Sequence, residues 1–181
     1  MTTRRLMTFG LLVFGWACNN GDKNSSPTTP APPPPPPPSI AGNWAGTSTI
    51  TSVQPDGLCV SDAYVASRLN VAEAVSATFT VNGTALSVQY TTPTGVCTAS
   101  GTLNGQAFQL TVSACTPTER QIHCRGNQTR VVYFKSQTIS GTADANFTAI
   151  TGTSSMEEGT RTVSGTNTDP VETEATVALH R

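Results

Sequence analysis

From about residue 42 to residue 179, apolar and polar side chains alternate with a period of two, in short runs broken by Gly, Pro and Asn. That period belongs to strands with one buried and one wet face. Residues 73–114 carry it most clearly. Asn82-Gly83 predicts a type I′ hairpin turn, because both residues accept positive φ. With that dipeptide as the loop, Val81 opposes Thr84, Phe79 opposes Leu86, Ala77 opposes Val88 and Val75 opposes Tyr90. One face is apolar. Ser76, Thr78, Thr80, Ser87, Gln89 and Thr91 share the other. Asn104-Gly105 predicts a second hairpin, with Leu103 opposite Gln106, Gly101 opposite Phe108, Ala99 opposite Leu110 and Cys97 opposite Val112. Pro93-Thr94-Gly95 joins the two, so the segment reads as a four-stranded antiparallel meander.

A first strand spans Gly42–Thr51. Further strands are expected at Gln121–Arg125 and Arg130–Lys135 around a Gly126-Asn127 turn. Thr138–Ala143, Phe147–Ser154, Thr160–Thr166 and Val171–Leu179 follow. Ser61 as a cap and Asp62 in a first turn predict one short helix over Asp62–Asn70, between the first two strands. The fold class is therefore all-β, an up-and-down meander of eight to ten strands. A meander of that length leaves exposed edges unless it closes into a barrel.

Composition narrows the class further. The chain has 181 residues, formal net charge −1, and 12% charged residues, about half the usual share. This excludes a coiled coil, a long helical bundle and a nucleic-acid binder built on a basic patch.

Residues 1–17 follow a different pattern. Arg4 and Arg5 precede an apolar stretch from Leu6 to Trp16, too short to span a bilayer as a helix. Ala17-Cys18 and a polar run come next. A short apolar stretch that stops at a small residue and then a cysteine resembles the lipobox of bacterial lipoproteins, although Gly15 stands where that family prefers Leu. The resemblance implies that residues 1–17 are a signal peptide and that Cys18 becomes the lipid-bearing N-terminus. Asn19 after the cysteine resembles the outer-membrane default. Without Arg4 and Arg5 the chain keeps 8 basic against 11 acidic residues, so membrane residence in a bacterial envelope would come from acyl chains. Residues 18–39 then form a disordered, Pro-rich spacer. Pro32 to Pro38 is an unbroken run that favours polyproline II, roughly 22 Å of stiff rod. The folded domain is residues 40–181.

Gly42-Asn43-Trp44 opens the first strand as a Gly-x-Trp does in lipocalins, which this domain resembles in architecture. The resemblance implies a barrel whose closed end is plugged by Trp44 and covered by Arg181, beside Gly42. A helix after the first strand also resembles the lid of fatty-acid-binding proteins. The Gly-Thr-rich meander is shared with avidin barrels, whose biotin pocket needs several tryptophans; past the signal segment only Trp44 remains.

Cys59, Cys97, Cys115 and Cys124 are an even set, expected in an exported domain to form two disulfides. Hairpin parity puts Cys97 on the apolar face and Cys115 on the polar face, which favours Cys59–Cys97 and Cys115–Cys124. No ligand spacing suits a metal, and no cofactor motif is present. Only His123 and His180 could act as bases near neutral pH, and Glu157-Glu158 and Glu172/Glu174 read as solvated charges, so a non-catalytic role is expected. Phe79, Leu86, Val88, Tyr90, Phe108 and Leu110 face inward and could line a pocket for a small apolar ligand. The alternative is a structural or protein/polysaccharide-interaction module of the envelope with a filled core.

Overall fold

The computed structural model describes residues 33, 38–54, 68–124 and 128–181. Among them are nine strands: β1 (Gly42–Gln54), β2 (Ala72–Asn82), β3 (Ala85–Thr92), β4 (Gly95–Asn104), β5 (Ala107–Thr116), β6 (Glu119–Cys124), β7 (Gln128–Ala143), β8 (Ala149–Thr162) and β9 (Asn167–His180). Every pairing is antiparallel. The order runs β5-β4-β3-β2-β1-β9-β8-β7, and β7 pairs back to β5, so eight strands close into an up-and-down barrel. This is consistent with a lipocalin-like fold. β6 is the extra strand. It continues along the same edge of β7 that β5 occupies lower down: Ala107–Thr111 pair with Thr142–Thr138, and Glu119–Cys124 pair with Tyr133–Gln128.

Both hairpins form, with a register two residues away from that predicted. Val81 pairs with Leu86, Phe79 with Val88 and Ala77 with Tyr90; Leu103 pairs with Phe108, Gly101 with Leu110 and Ala99 with Val112. The loops are Gly83-Thr84 and Gly105-Gln106, and only the glycines take positive φ, 62° and 61°. That is the position a type II′ turn reserves for Gly, whereas the expected type I′ turn needs Asn at positive φ too. The physical gain is in the pairs themselves. Val81 meets Leu86 and Leu103 meets Phe108, where the predicted register set them against Thr84 and Gln106. A shift of two leaves every side chain on its predicted face.

Phase changes arise at bulges, and these cluster towards one end of the barrel. Register breaks between Ile50 and Ser52 in β1, between Phe134 and Ser136 in β7, where β4 Thr98/Ala99 face β5, and between Glu158 and Thr160 where β8 faces β9. In the first three the extra residues are Thr51, Lys135 and Ser113. A bulge at Lys135 lets one strand run through what reads in sequence as two segments, 130–135 and 138–143. Likewise β8 absorbs residues from two predicted strands, and Phe147 lies in the preceding turn with φ 53°.

The Ser113 bulge also overturns the expected disulfide pairing. Thr98 pairs with Ala114 while Ala99 pairs with Val112, so Cys115 swings to the inner face directly opposite Cys97. Cys97 and Cys115 are bonded to each other, not to Cys59 and Cys124. Strict alternation had placed the two on opposite faces; the extra residue restores them to one. Cys59 and the Cys124 side chain lie outside the described residues, as does most of the predicted helix over 62–70. No helical element lies among the described residues. At the end of that segment Leu69 forms an isolated bridge with Ile50, and the Asn70 N–H donates to the Ile50 carbonyl at 2.8 Å.

The lower barrel is packed with apolar side chains. Trp44, Phe79 and Phe108 stack edge to face in series, with centroids 6.2 and 5.8 Å apart. Leu86, Ile150, Leu110 and Leu179 fill around them, all buried. Each such side chain contributes about 1.5–3 kcal/mol through burial. Gly141 makes room for the Phe108 ring: a Cβ there would stand 2.5 Å from Phe108 Cζ and 3.0 Å from the Thr151 carbonyl. Gly141→Ala is therefore expected to lower stability by about 1–3 kcal/mol, the usual cost of overpacking. Urea unfolding should show a reduced midpoint with unchanged slope; an unshifted midpoint would contradict the packing described.

Candidate functional site

The two ends of the barrel differ in chemistry. At the closed end the Trp44 indole N–H donates to the Ile40 carbonyl at 2.8 Å, and Ile40 is fully buried. The Arg181 guanidinium lies 4.6 Å from the Trp44 ring centroid and donates to the carbonyls of Ser39 (2.7 Å) and Ala41. Gly42 takes φ 119° and runs beneath that guanidinium, a backbone shape that suits glycine. Gly42, Trp44 and Arg181 thus meet at one place. Beside them the β7–β8 turn is pinned by Asp144, whose carboxylate accepts from the Thr148 and Ala149 amides (2.6 and 2.8 Å) and the Thr148 hydroxyl (2.8 Å).

The middle of the barrel holds the residues read from sequence as a ligand lining. Phe79, Val88, Tyr90, Phe108 and Leu110 border a cavity of about 80 Å³. Leu86 packs within the core instead. Small-molecule pockets run to roughly 300–1,000 Å³, so these side chains mostly fill the space they enclose.

Above this lies a polar layer that period-two reading did not single out. The Tyr90 hydroxyl donates to Gln137 Oε1 at 2.6 Å, and Gln137 Nε2 donates to Ser154 Oγ at 2.7 Å. Burial pushes the Tyr90 phenol pKa up, which keeps the proton on the donor. The chain of bonds crosses the barrel from β3 to β7 and β8. Thr173, on β9, is also buried at this side of the barrel.

The open end contains a second cavity of about 120 Å³, bordered by Tyr90, Gln137 and Ser154 together with Ile50, Val132, Phe134, Met156 and Ala175. The Cys97–Cys115 bridge and the Pro117–Arg120 segment complete its wall. It exists because the chain leaves β7 after Thr111, stays on β4 to Thr116, and rejoins β7 only at Glu119. Arg120 and Glu158 are turned into it, with Arg120 Nη2 donating to Glu158 Oε2 at 2.8 Å and Glu158 only 8% exposed.

Glu158 corrects the expectation that the paired acids are all solvated. Adjacent residues on a strand point to opposite faces, so Glu157 stays outside with Lys135 at 2.5 Å while Glu158 goes in. Glu172, Glu174 and His180 sit on the outer face of β9, exposed. The His123 side chain lies outside the described residues. Arg120 could not have been placed from sequence, since its position depends on β6 returning to β7. Compared with family models, curated proteins and solved structures, the chain finds no match.

The Asp144 turn has a pH signature. The Ala149 amide, then the Thr148 hydroxyl, hold its carboxyl below the ordinary carboxylate pKa. Such a group adds stability above its unfolded pKa, about 4, and loses it as pH falls through the lower folded value. Asp144→Asn should therefore unfold more readily at pH 6, with the difference from wild type shrinking as pH drops below 4. Thermal melts across that range measure it, and a constant difference would refute the assignment.

Proposed function

We propose that this chain is an exported bacterial lipoprotein, anchored through acyl chains on Cys18, whose residues 18–39 hold a non-catalytic β-barrel away from the membrane as an interaction module of the cell envelope. The outer membrane is the favoured leaflet-bearing bilayer, on the Asn19 signal. The observation that carries the module reading over the apolar-carrier reading is the inner cavity of about 80 Å³, too small for a drug-sized or fatty ligand. Supporting it, the remaining polar chemistry is gathered at the mouth and not in the lower barrel. The acids also fit a binding role. Glu157 is paired outward with Lys135 and Glu158 inward with Arg120. Membrane association would come from the lipid, and nucleic acid is not an expected partner, given the slightly acidic charge.

Metabolic labelling with radioactive palmitate should mark the wild-type protein and leave Cys18→Ser unlabelled; label retained in the variant would defeat the anchoring. Native mass spectrometry of protein taken from its own envelope should show no bound apolar mass, and 1-anilinonaphthalene-8-sulfonate should gain no fluorescence from the folded barrel. A stoichiometric lipid or a bright dye complex would return the reading to an apolar carrier.

A further inference from the structure

The mouth cavity has the make-up of a binding site whose occupant can be narrowed by charge and polarity. Its charged lining comprises Arg68, Glu73, Glu119, Arg120 and Glu158. Each has a counter-charge at hand: Arg68 with Glu73 at 4.0 Å, Arg120 with Glu158 at 2.8 Å, and Glu119 with Arg161 at 2.7 Å. A carboxylate, phosphate or amine entering here would have to break one of these pairs. A neutral guest need not. The floor is the Tyr90–Gln137–Ser154 chain, which is the shared wall between this cavity and the smaller one below. An apolar guest would cut that chain and the ion pair off from water and offer them no hydrogen bond of its own. The side walls mix apolar surface, from Ile50, Val132, Phe134, Ala175 and the Cys97–Cys115 bridge, with hydroxyl-bearing residues such as Thr92, Thr118 and Thr173. Hydroxyl-bonding groups at one level and flat apolar surface beside them suit a ring that carries hydroxyls at its rim and C–H bonds on its faces.

The ion pair is hard to explain as scaffold alone. Replacing a largely buried pair by apolar residues of similar volume is commonly neutral or stabilising, so stability by itself does not call for Arg120 and Glu158. Both are aimed into the cavity, where a guanidinium and a carboxylate together offer donors and acceptors to vicinal hydroxyls.

We infer that the mouth cavity, whose volume of about 120 Å³ is too small to enclose a whole ring, takes the edge of one neutral, hydroxyl-rich sugar residue at the end of a saccharide, held between the Arg120–Glu158 pair and the Tyr90–Gln137–Ser154 chain. This rests on the reading of the barrel as an interaction module, and deepens it by naming the class of partner. The test uses saturation-transfer NMR on the detergent-solubilised full-length protein. The probes are galactose, glucose and N-acetylglucosamine, with acetate and methyl phosphate as anionic controls and 1-anilinonaphthalene-8-sulfonate as the apolar control. Transfer to the ring protons of at least one sugar is expected, with none to acetate or methyl phosphate and no dye fluorescence beyond that of the detergent alone. The double variant Arg120→Met/Glu158→Met should melt at or above the wild-type temperature yet bind that sugar roughly tenfold or more weakly, a loss of about 1.4 kcal/mol or more. Gln137→Met gives a second check on the opposite wall and should weaken the same sugar without changing dye behaviour. Absence of transfer to every sugar, equal binding by both variants, or methyl phosphate binding in place of sugar would overturn the inference and leave the module reading standing. Dye uptake would overturn the module reading instead.

Discussion

Five backbone pairs between β5 and β7, from Ala107–Thr142 to Thr111–Thr138, close the sheet on itself. Everything else in the structure depends on that seam. Without it the meander would expose two unpaired edges, and every inward side chain would face water on at least one side. With it, residues two apart on eight strands share a single dry interior. The seam is narrow because the chain pairs with β7 twice, first as β5 and again as β6, with an excursion between. The lower contact seals the apolar core. The excursion opens the mouth.

The barrel is therefore one scaffold with three interior levels. At the bottom, Trp44 is held from below by the Ile40 carbonyl and covered by Arg181, so the apolar end is shut without an unsatisfied indole. In the middle, Phe79, Phe108 and their neighbours occupy nearly all the volume. Glycine at 141, facing Gly152 across the sheet, is what lets a phenyl ring lie flat against the backbone there. Higher up, the interior turns polar in an ordered way, first a hydrogen-bonded chain of neutral groups and then a charged pair. Polarity rises with access to water, as the desolvation of each group requires.

The bulges explain why the two halves differ. Below them the strands keep strict alternation, and sequence pattern and interior agree residue by residue. Above them Thr51, Ser113 and Lys135 each shift the phase by one. One such shift brings Cys115 round to Cys97; another turns Phe134 inward. The mouth is thus lined by residues that a constant period would assign to the wrong face. The covalent bridge then ties β4 to β5 at the level where β5 has lost β7 as a neighbour.

Alternation of apolar and polar residues was enough to name the class, place the two Asn-Gly hairpins within two residues of their register, and pick out Phe79, Val88, Phe108 and Leu110 as interior. This works because a side chain's face depends only on parity along a strand, and a shift of two preserves it. Gly42 and Trp44 were singled out by a short motif, and Arg181 only by the resemblance to lipocalin barrels that the motif suggests. The Cys97–Cys115 bond, the Tyr90–Gln137–Ser154 chain and the Arg120–Glu158 pair were not. Each joins strands whose relative height is set by bulges and by the place where β6 rejoins β7. Those are properties of the closed sheet, where strain and pairing are resolved over all strands together, and no local run of residues contains them.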